Sequence, residues 1–169
     1  MGHLGRILKT DAFSSALINF SLLLFLVCLD SPPLSAQIKH YQRFGVEEGL
    51  LTNRLTSIVE GPDGFIWIAT DGAGISRFDG IEFEHFNDPE IIGSPYYFSS
   101  LRLKSSIWFG GENQILRYAE DQFKKYPAPN FGSIHQIISY SDSLLFCISD
   151  RATFFFEINT GAVEEFTLE

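Results

Sequence analysis

One pattern returns along this chain at intervals of about forty residues, and it leaves few folds open. Ile66-Trp67-Ile68 recurs as Ile107-Trp108-Phe109 and then as Leu145-Phe146-Cys147. Arg77-Phe78 recurs as Arg117-Tyr118. Phe83-Glu84-His85-Phe86 recurs as Phe123-Lys124-Lys125-Tyr126 and again as Val163-Glu164-Glu165-Phe166. Helical repeats can share this period, but the apolar residues here do not fall at i, i+3 and i+4. They form short β-branched and aromatic runs between turns rich in Gly and Asp, which is strand patterning. Several short strands per unit of about forty residues mark the blades of a β-propeller.

The first unit reads strand by strand. Leu55–Glu60 is a short innermost strand, and Pro62-Asp63-Gly64 turns the chain. Phe65–Thr70 follows, apolar on both faces as a strand packed between neighbouring sheets must be. Asp71-Gly72-Ala73-Gly74 leads into Ile75–Phe78, Asp79-Gly80 turns again, and Ile81–Phe86 is the outer strand. The second unit repeats the plan in Tyr97–Leu103, Ile107–Gly110, Ile115–Tyr118 and Gln122–Tyr126. The third repeats it in Ile134–Tyr140, Leu144–Ser149, Thr153–Ile158 and Val163–Leu168. The expected fold is therefore all-β, with blades at residues 50–87, 96–127 and 133–168.

Propellers close with about 4–8 blades, so three units make an incomplete ring, expected to hold seven in full. An incomplete ring leaves sheet faces without neighbours, with residues such as Phe146, Phe154 and Phe156 among those exposed. Ile38–Phe44 precedes the first unit, and its Tyr41-x-x-Phe44 spacing matches Phe83-x-x-Phe86. It is expected to be an N-terminal closing strand, the outermost strand of the last blade.

Residues 1–36 read differently. Arg6 and Lys9 precede the apolar run Leu22–Leu29, and Pro32-Pro33 and Leu34-Ser35-Ala36 follow it. That order is the layout of a secretory signal helix, expected to be cleaved after Ala36, with residues 37–169 as the mature partial propeller. Cys147 is then the remaining thiol, expected to be buried and inert.

The charge balance is 12 Lys and Arg against 21 Asp and Glu, a formal net charge of −9. A surface this acidic repels phosphate backbones, which argues against nucleic-acid binding. No CxxC or HxxxH spacing suits zinc, and His40, His85 and His135 lie far apart in sequence. No G-x-S-x-G motif or Cys/His pair is present, so no catalytic, metal-binding or cofactor-binding residue is nominated and no cofactor is expected. Trp67 and Trp108 could stack on a sugar, but their equivalent places in an apolar strand point to packing between blades. Arg77 and Arg117 stand at equivalent positions too. They are expected to pair with turn carboxylates, Asp71 or Asp79 in the case of Arg77. Asp63, Asp71 and Asp79 each adjoin Gly and read as turn residues, without the spacing of a calcium loop.

Gly49-Leu50-Leu51-Thr52-Asn53, Asp63-Gly64-Phe65-Ile66-Trp67-Ile68-Ala69-Thr70 and Asp71-Gly72-Ala73-Gly74-Ile75-Ser76-Arg77-Phe78-Asp79-Gly80 closely resemble the two-component regulator propeller repeat. The repeat's characteristic positions are thus Gly49, Leu50, Asn53, Asp63, Gly64, Trp67, Thr70, Asp71, Gly72, Gly74, Arg77, Phe78, Asp79 and Gly80. The second unit keeps Trp108, Gly110, Arg117 and Tyr118, and the third keeps the period. Ala69 stands where the repeat has Gly, and Ala73-Gly74-Ile75 where it has Gly-Gly-Leu.

The resemblance implies an extracytoplasmic ligand-sensing propeller of a bacterial membrane protein in two-component signal transduction, often a histidine kinase, on the periplasmic side of the inner membrane. Its implied partners are a small ligand, carbohydrate among the candidates, the remaining blades and the downstream signalling domains, with the membrane reached through a downstream span. The alternative is an exported glycan-binding propeller or polysaccharide-processing enzyme whose active residues lie elsewhere.

Overall fold

The computed structural model describes residues 19–21 and 41–166. The expected signal lies outside the described residues except for 19–21, which are helical. Among the described residues no helix is long and apolar enough to cross a membrane. From Leu55 onward the chain lays down three four-stranded antiparallel sheets, each built from consecutive strands.

The first sheet comprises β1 (Leu55–Glu60), β2 (Ile66–Thr70), β3 (Ile75–Phe78) and β4 (Phe83–Phe86). The second comprises β5 (Tyr97–Leu103), β6 (Ser106–Gly111), β7 (Gln114–Ala119) and β8 (Gln122–Pro127). The third comprises β9 (Ile134–Ser139), β10 (Leu144–Ser149), β11 (Thr153–Glu157) and β12 (Val163–Glu165). The first strands β1, β5 and β9 lie side by side, so the sheets stack as successive blades of an incomplete propeller.

Two departures from the sequence reading have local causes. The outer strand of the first sheet begins at Phe83 and not at Ile81, because the Asp79 carboxylate accepts the backbone N–H groups of Ile81 and Glu82, each at 2.7 Å. That side-chain turn holds both residues out of the ladder and leaves Ile81 exposed. Between the first two sheets a single helical turn appears, α1 (Pro89–Ile92). Asp88 caps it by accepting the Glu90 N–H at 2.8 Å, and Pro89 fills the first helical position. Ile92 hangs from this turn into the space between the sheets, fully buried.

The core lies in the two seams. Trp67, Ala69 and Ile75 of the first sheet face Tyr97, Ile107, Phe109, Leu116 and Tyr118 of the second. Trp108 and Ile115 of the second face Leu145, Cys147, Phe154 and Phe156 of the third. Phe154 and Phe156 were expected on an open face, but strand alternation turns them towards the second sheet. Phe155, between them in sequence, and Phe146, opposite it on β10, point the other way.

Of the expected closing strand Ile38–Phe44, residues 38–40 lie outside the described residues and Tyr41–Phe44 is irregular. Phe44 nevertheless packs on Phe78 and Phe83, with ring centroids 4.7 and 6.0 Å away. Phe86, its counterpart by spacing, packs in the same manner on Phe123 of the second sheet at 5.0 Å.

Candidate functional site

The strand registers make the repeat positions comparable residue by residue. One row across the first sheet reads Val59–Trp67–Arg77–Glu84, and its counterpart in the second reads Leu101–Trp108–Arg117–Lys124. The third sheet has Ile138–Phe146–Phe155–Glu164. These rows lie on the side of each sheet that faces the next. Trp67 and Trp108 are 0% and 1% exposed, so neither indole is open to a ligand. Trp67 packs 4.4 Å from Tyr118 and stacks on Phe86 at 5.5 Å. Trp108 Nε1 donates to Ser106 Oγ at 3.0 Å.

Arg77 does not pair with Asp71 or Asp79. Its guanidinium reaches directly across the ladder to Glu84 at 2.5 Å, donates to the Tyr118 hydroxyl of the second sheet at 3.2 Å, and lies over the Phe65 and Trp67 rings. Cross-strand register places Glu84 opposite Arg77, whereas Asp79 is committed within its own turn and Asp71 to Arg54. Arg117 likewise lies over Trp108, 5.6 Å from the ring centroid. Tyr118 donates onward to Asp121 at 3.0 Å, and burial together with that bond raises the phenol pKa above its ordinary value. Arg77, Glu84, Tyr118, Asp121, Glu90 and Lys125 border an open cleft of about 610 Å³ between the first two sheets.

The most regular polar arrangement lies where the second strand of each sheet turns into the third. Asp71, Glu112 and Asp150 occupy this place in the three sheets. Their backbone N–H groups donate to the carbonyls of Arg54, Tyr96 and Ser133, the residues that enter β1, β5 and β9, at 3.0, 3.0 and 3.1 Å. Asp71 also bridges Tyr96, and Glu112 bridges Ser133, so each turn holds the entry to the following sheet. In the first turn Thr70 Oγ1 donates to the Gly74 carbonyl at 2.7 Å, and Gly72 and Gly74 both donate to Pro95. Gly74 has φ +80, and a Cβ there would stand 2.3 Å from the Phe86 carbonyl, so only glycine fits.

The carboxylates of these turns are partly neutralised. Asp71 pairs with Arg54. Asp150 accepts from His135 at 2.5 Å and from the Ser133 N–H at 3.1 Å. The His135 contact, followed by the Ser133 bonds, holds the Asp150 pKa below its usual value. Glu112 has the Ser94 hydroxyl at 3.4 Å. Tyr96 is exposed at this end, and the Phe98 ring stands 5.2 Å from His135. Paired carboxylates beside an exposed tyrosine and a half-buried phenylalanine can accept hydroxyl or amine donors and cover an apolar ring face. They supply no nucleophile with a base beside it. Among the described residues no three His, Cys, Asp or Glu side chains are grouped to hold a metal.

The remaining repeat positions shape turns and entries. Gly49 ends a 3-10 turn at Val46–Glu48, its carbonyl meets His85 Nε2 at 2.9 Å, and Leu50 is buried behind it. Asn53 borders the same turn. Asp63 accepts the Phe65 N–H at 3.2 Å ahead of Gly64, and Asp79 and Gly80 make the last turn of the sheet. Phe78 receives Phe44. Gly110 admits the third sheet closely: a Cβ there would lie 2.4 Å from Ser99 Oγ and 2.7 Å from the Ile134 carbonyl. Sequence reading missed Arg54, Tyr96, Glu112, His135 and Asp150. Aligning the residue after each second strand would have brought out Asp71, Glu112 and Asp150.

Residues 49–72 match the family described as the two component regulator propeller. No curated protein matches the chain. Among solved structures, the extracellular domain of a B. thetaiotaomicron protein described as the hybrid two component system BT3049 aligns at a TM-score of 0.64 and 23% identity. The match covers 74% of this chain and 20% of that one. The corresponding domain of BT4673, from the same organism, aligns at 0.66 and 14% identity, covering 76% and 18%. The WD40 domain of Neurospora crassa Pan2 aligns at 0.50 and 15% identity, covering 67% and 38%. This chain thus spans about a fifth of the length of the extracellular domains it resembles. Its three sheets are β-propeller blades, and the stretch that matches the two component regulator propeller, residues 49–72, runs through β1 and β2 of the first.

Proposed function

We propose that the chain is an exported, ligand-sensing propeller segment of a two-component signalling protein, and that it binds its ligand at the end of the arc bearing Asp71, Glu112 and Asp150. The repeat over residues 49–72, on blades that align with extracellular sensor domains, carries this reading. The local chemistry supports a polyhydroxylated ligand such as an oligosaccharide. Carboxylates held in place by Arg54 and His135 accept hydroxyl groups, and Tyr96 offers an exposed ring.

Titration calorimetry of the full chain against neutral, acidic and basic oligosaccharides tests the proposal. Saturable binding of one class is expected, lost in both Asp71→Asn and His135→Ala while each variant stays folded at the temperature of the titration. No saturable binding, or binding that survives both substitutions, overturns it.

A further inference from the structure

The repeat position that holds a salt bridge in the first sheet holds two cations in the second. Arg77 faces Glu84 across β3 and β4, whereas Arg117 faces Lys124 across β7 and β8. Side chains directly opposite on antiparallel strands have Cβ atoms about 5 Å apart, so like charges there repel at close range. The ion pairs of the described residues are Arg54–Asp71, Arg77–Glu84, Lys104–Asp142 and His135–Asp150, and neither Arg117 nor Lys124 belongs to any of them. The seam hydrogen bond is lost as well. Arg77 meets the Tyr118 hydroxyl, but the third sheet has Phe156 in that place, packed on Trp108 without a hydroxyl to offer.

The neighbouring carboxylates are placed elsewhere. Glu157 accepts from Asn159 at 2.8 Å, Asp121 accepts from Tyr118, Glu165 is in register with Phe154, and Glu164 stands beside Phe155 on the far side of the third sheet. The two cations are nevertheless held together. Arg117 lies over the Trp108 ring at 5.6 Å and Lys124 over the Tyr126 ring at 4.8 Å, and those rings are 5.8 Å apart. Arg117 is half-buried and Lys124 exposed. In a chain of formal net charge −9, two adjacent cations without a carboxylate are not explained by a general excess of basic residues. The pair lies in a seam between two sheets of this chain, so its surroundings do not depend on a further blade.

We propose that Arg117 and Lys124 form an oxyanion site in the second seam, which takes a carboxylate or sulfate group of a small ligand. A guanidinium partly withdrawn from water carries a desolvation cost that an anion offsets. Its planar fork donates two parallel N–H bonds to an oxyanion, and the ammonium opposite it adds a third donor. The bound group would replace, for this sheet, the carboxylate that Glu84 supplies to the first. This site is separate from the end of the arc that bears Asp71, Glu112 and Asp150, and it stands or falls independently of binding there.

NMR titration of the full chain with sodium sulfate and with sodium glucuronate, against sodium chloride at matched ionic strength, tests this. The Arg117 Nε–H resonance should shift and saturate with at least one of the two oxyanions and not with chloride. The thermal midpoint should rise with the same saturation, by about 2 °C or more. A response to sulfate alone assigns a sulfate group, to glucuronate alone a carboxylate, and to both a site for either. Lys124→Glu gives the second sheet the ion pair of the first, so it should raise the midpoint in chloride and abolish the oxyanion response. Lys125→Gln removes the same charge from the other side of β8, where Lys125 donates to the Glu90 carbonyl, and should leave the response in place. No saturable shift with either oxyanion overturns the proposal. So does a response that persists in Lys124→Glu, as general exclusion of salt from the surface would give, or one lost equally in Lys125→Gln.

Discussion

The Arg77 guanidinium lies 5.4 Å from the centre of the Trp67 ring and donates to the Tyr118 hydroxyl of the neighbouring sheet. One side chain thereby links the aromatic layer of the first blade to the second. Replacing Arg77 with Ala is expected to cost about 1–2 kcal/mol, because it removes a cation–π contact, the Glu84 pair and the seam hydrogen bond together. Tyr118→Phe, which deletes only the hydroxyl, should cost less, and thermal denaturation of the two variants with their double mutant checks the order.

Trp67→Ala is expected to be structural damage. The indole is fully buried among Phe86, Phe109, Tyr118 and Phe123, and truncating such a side chain costs about 3–5 kcal/mol. The thermal midpoint should fall steeply. An unchanged midpoint would mean that the ring does not hold the seam.

Gly110→Ala should destabilise by about 1–3 kcal/mol, since the new methyl would press on the Ile134 backbone carbonyl. Ala69→Gly, at the equivalent place in the first sheet, adds no such clash and should cost less. Denaturant titration of both variants separates a requirement for closeness from a preference for small residues in general.

Asp79 and Asp150 give the acid limb of stability. Backbone N–H groups of Glu82 and Ile81 lower the Asp79 pKa, and the His135 and Ser133 contacts lower that of Asp150, both from an ordinary 3.8. A carboxyl whose folded value is depressed stabilises the fold above its unfolded value, and that contribution is lost as pH falls through the folded value. Stability should therefore decline below about pH 4. Asp79→Asn and Asp150→Asn should each flatten that decline, as measured by unfolding between pH 2 and pH 6.

Burial pushes the Cys147 thiol up to about 12, so the nucleophilic thiolate is scarce in the folded protein. Alkylation at neutral pH should be slow in the native state and prompt in denaturant. Rapid labelling of the native protein would show that the third sheet opens.

The period of the sequence was enough to place the sheets, because forty-residue spacing and strand alternation are local properties of the chain. β1, β3, β5 and β10 begin and end where Leu55–Glu60, Ile75–Phe78, Tyr97–Leu103 and Leu144–Ser149 were expected. α1 was overlooked although Asp88-Pro89-Glu90 carries its capping signal. The partner of Arg77 was misread because turn carboxylates are nearer in sequence, whereas the ladder selects Glu84 by register. The polar end of the arc was not legible from spacing alone. His135 and Asp150 meet across a sheet, and Tyr96 matters through its place before β5.

The grip of each turn on the strand entry that follows it gives assembly a direction. The Asp71 turn is finished before Pro95 and Tyr96 have been made, and the Glu112 turn before Gly132 and Ser133. A chain synthesised from its N-terminus therefore offers every new sheet a ready template, and the arc grows by addition at one end, like a zipper closed in reading order.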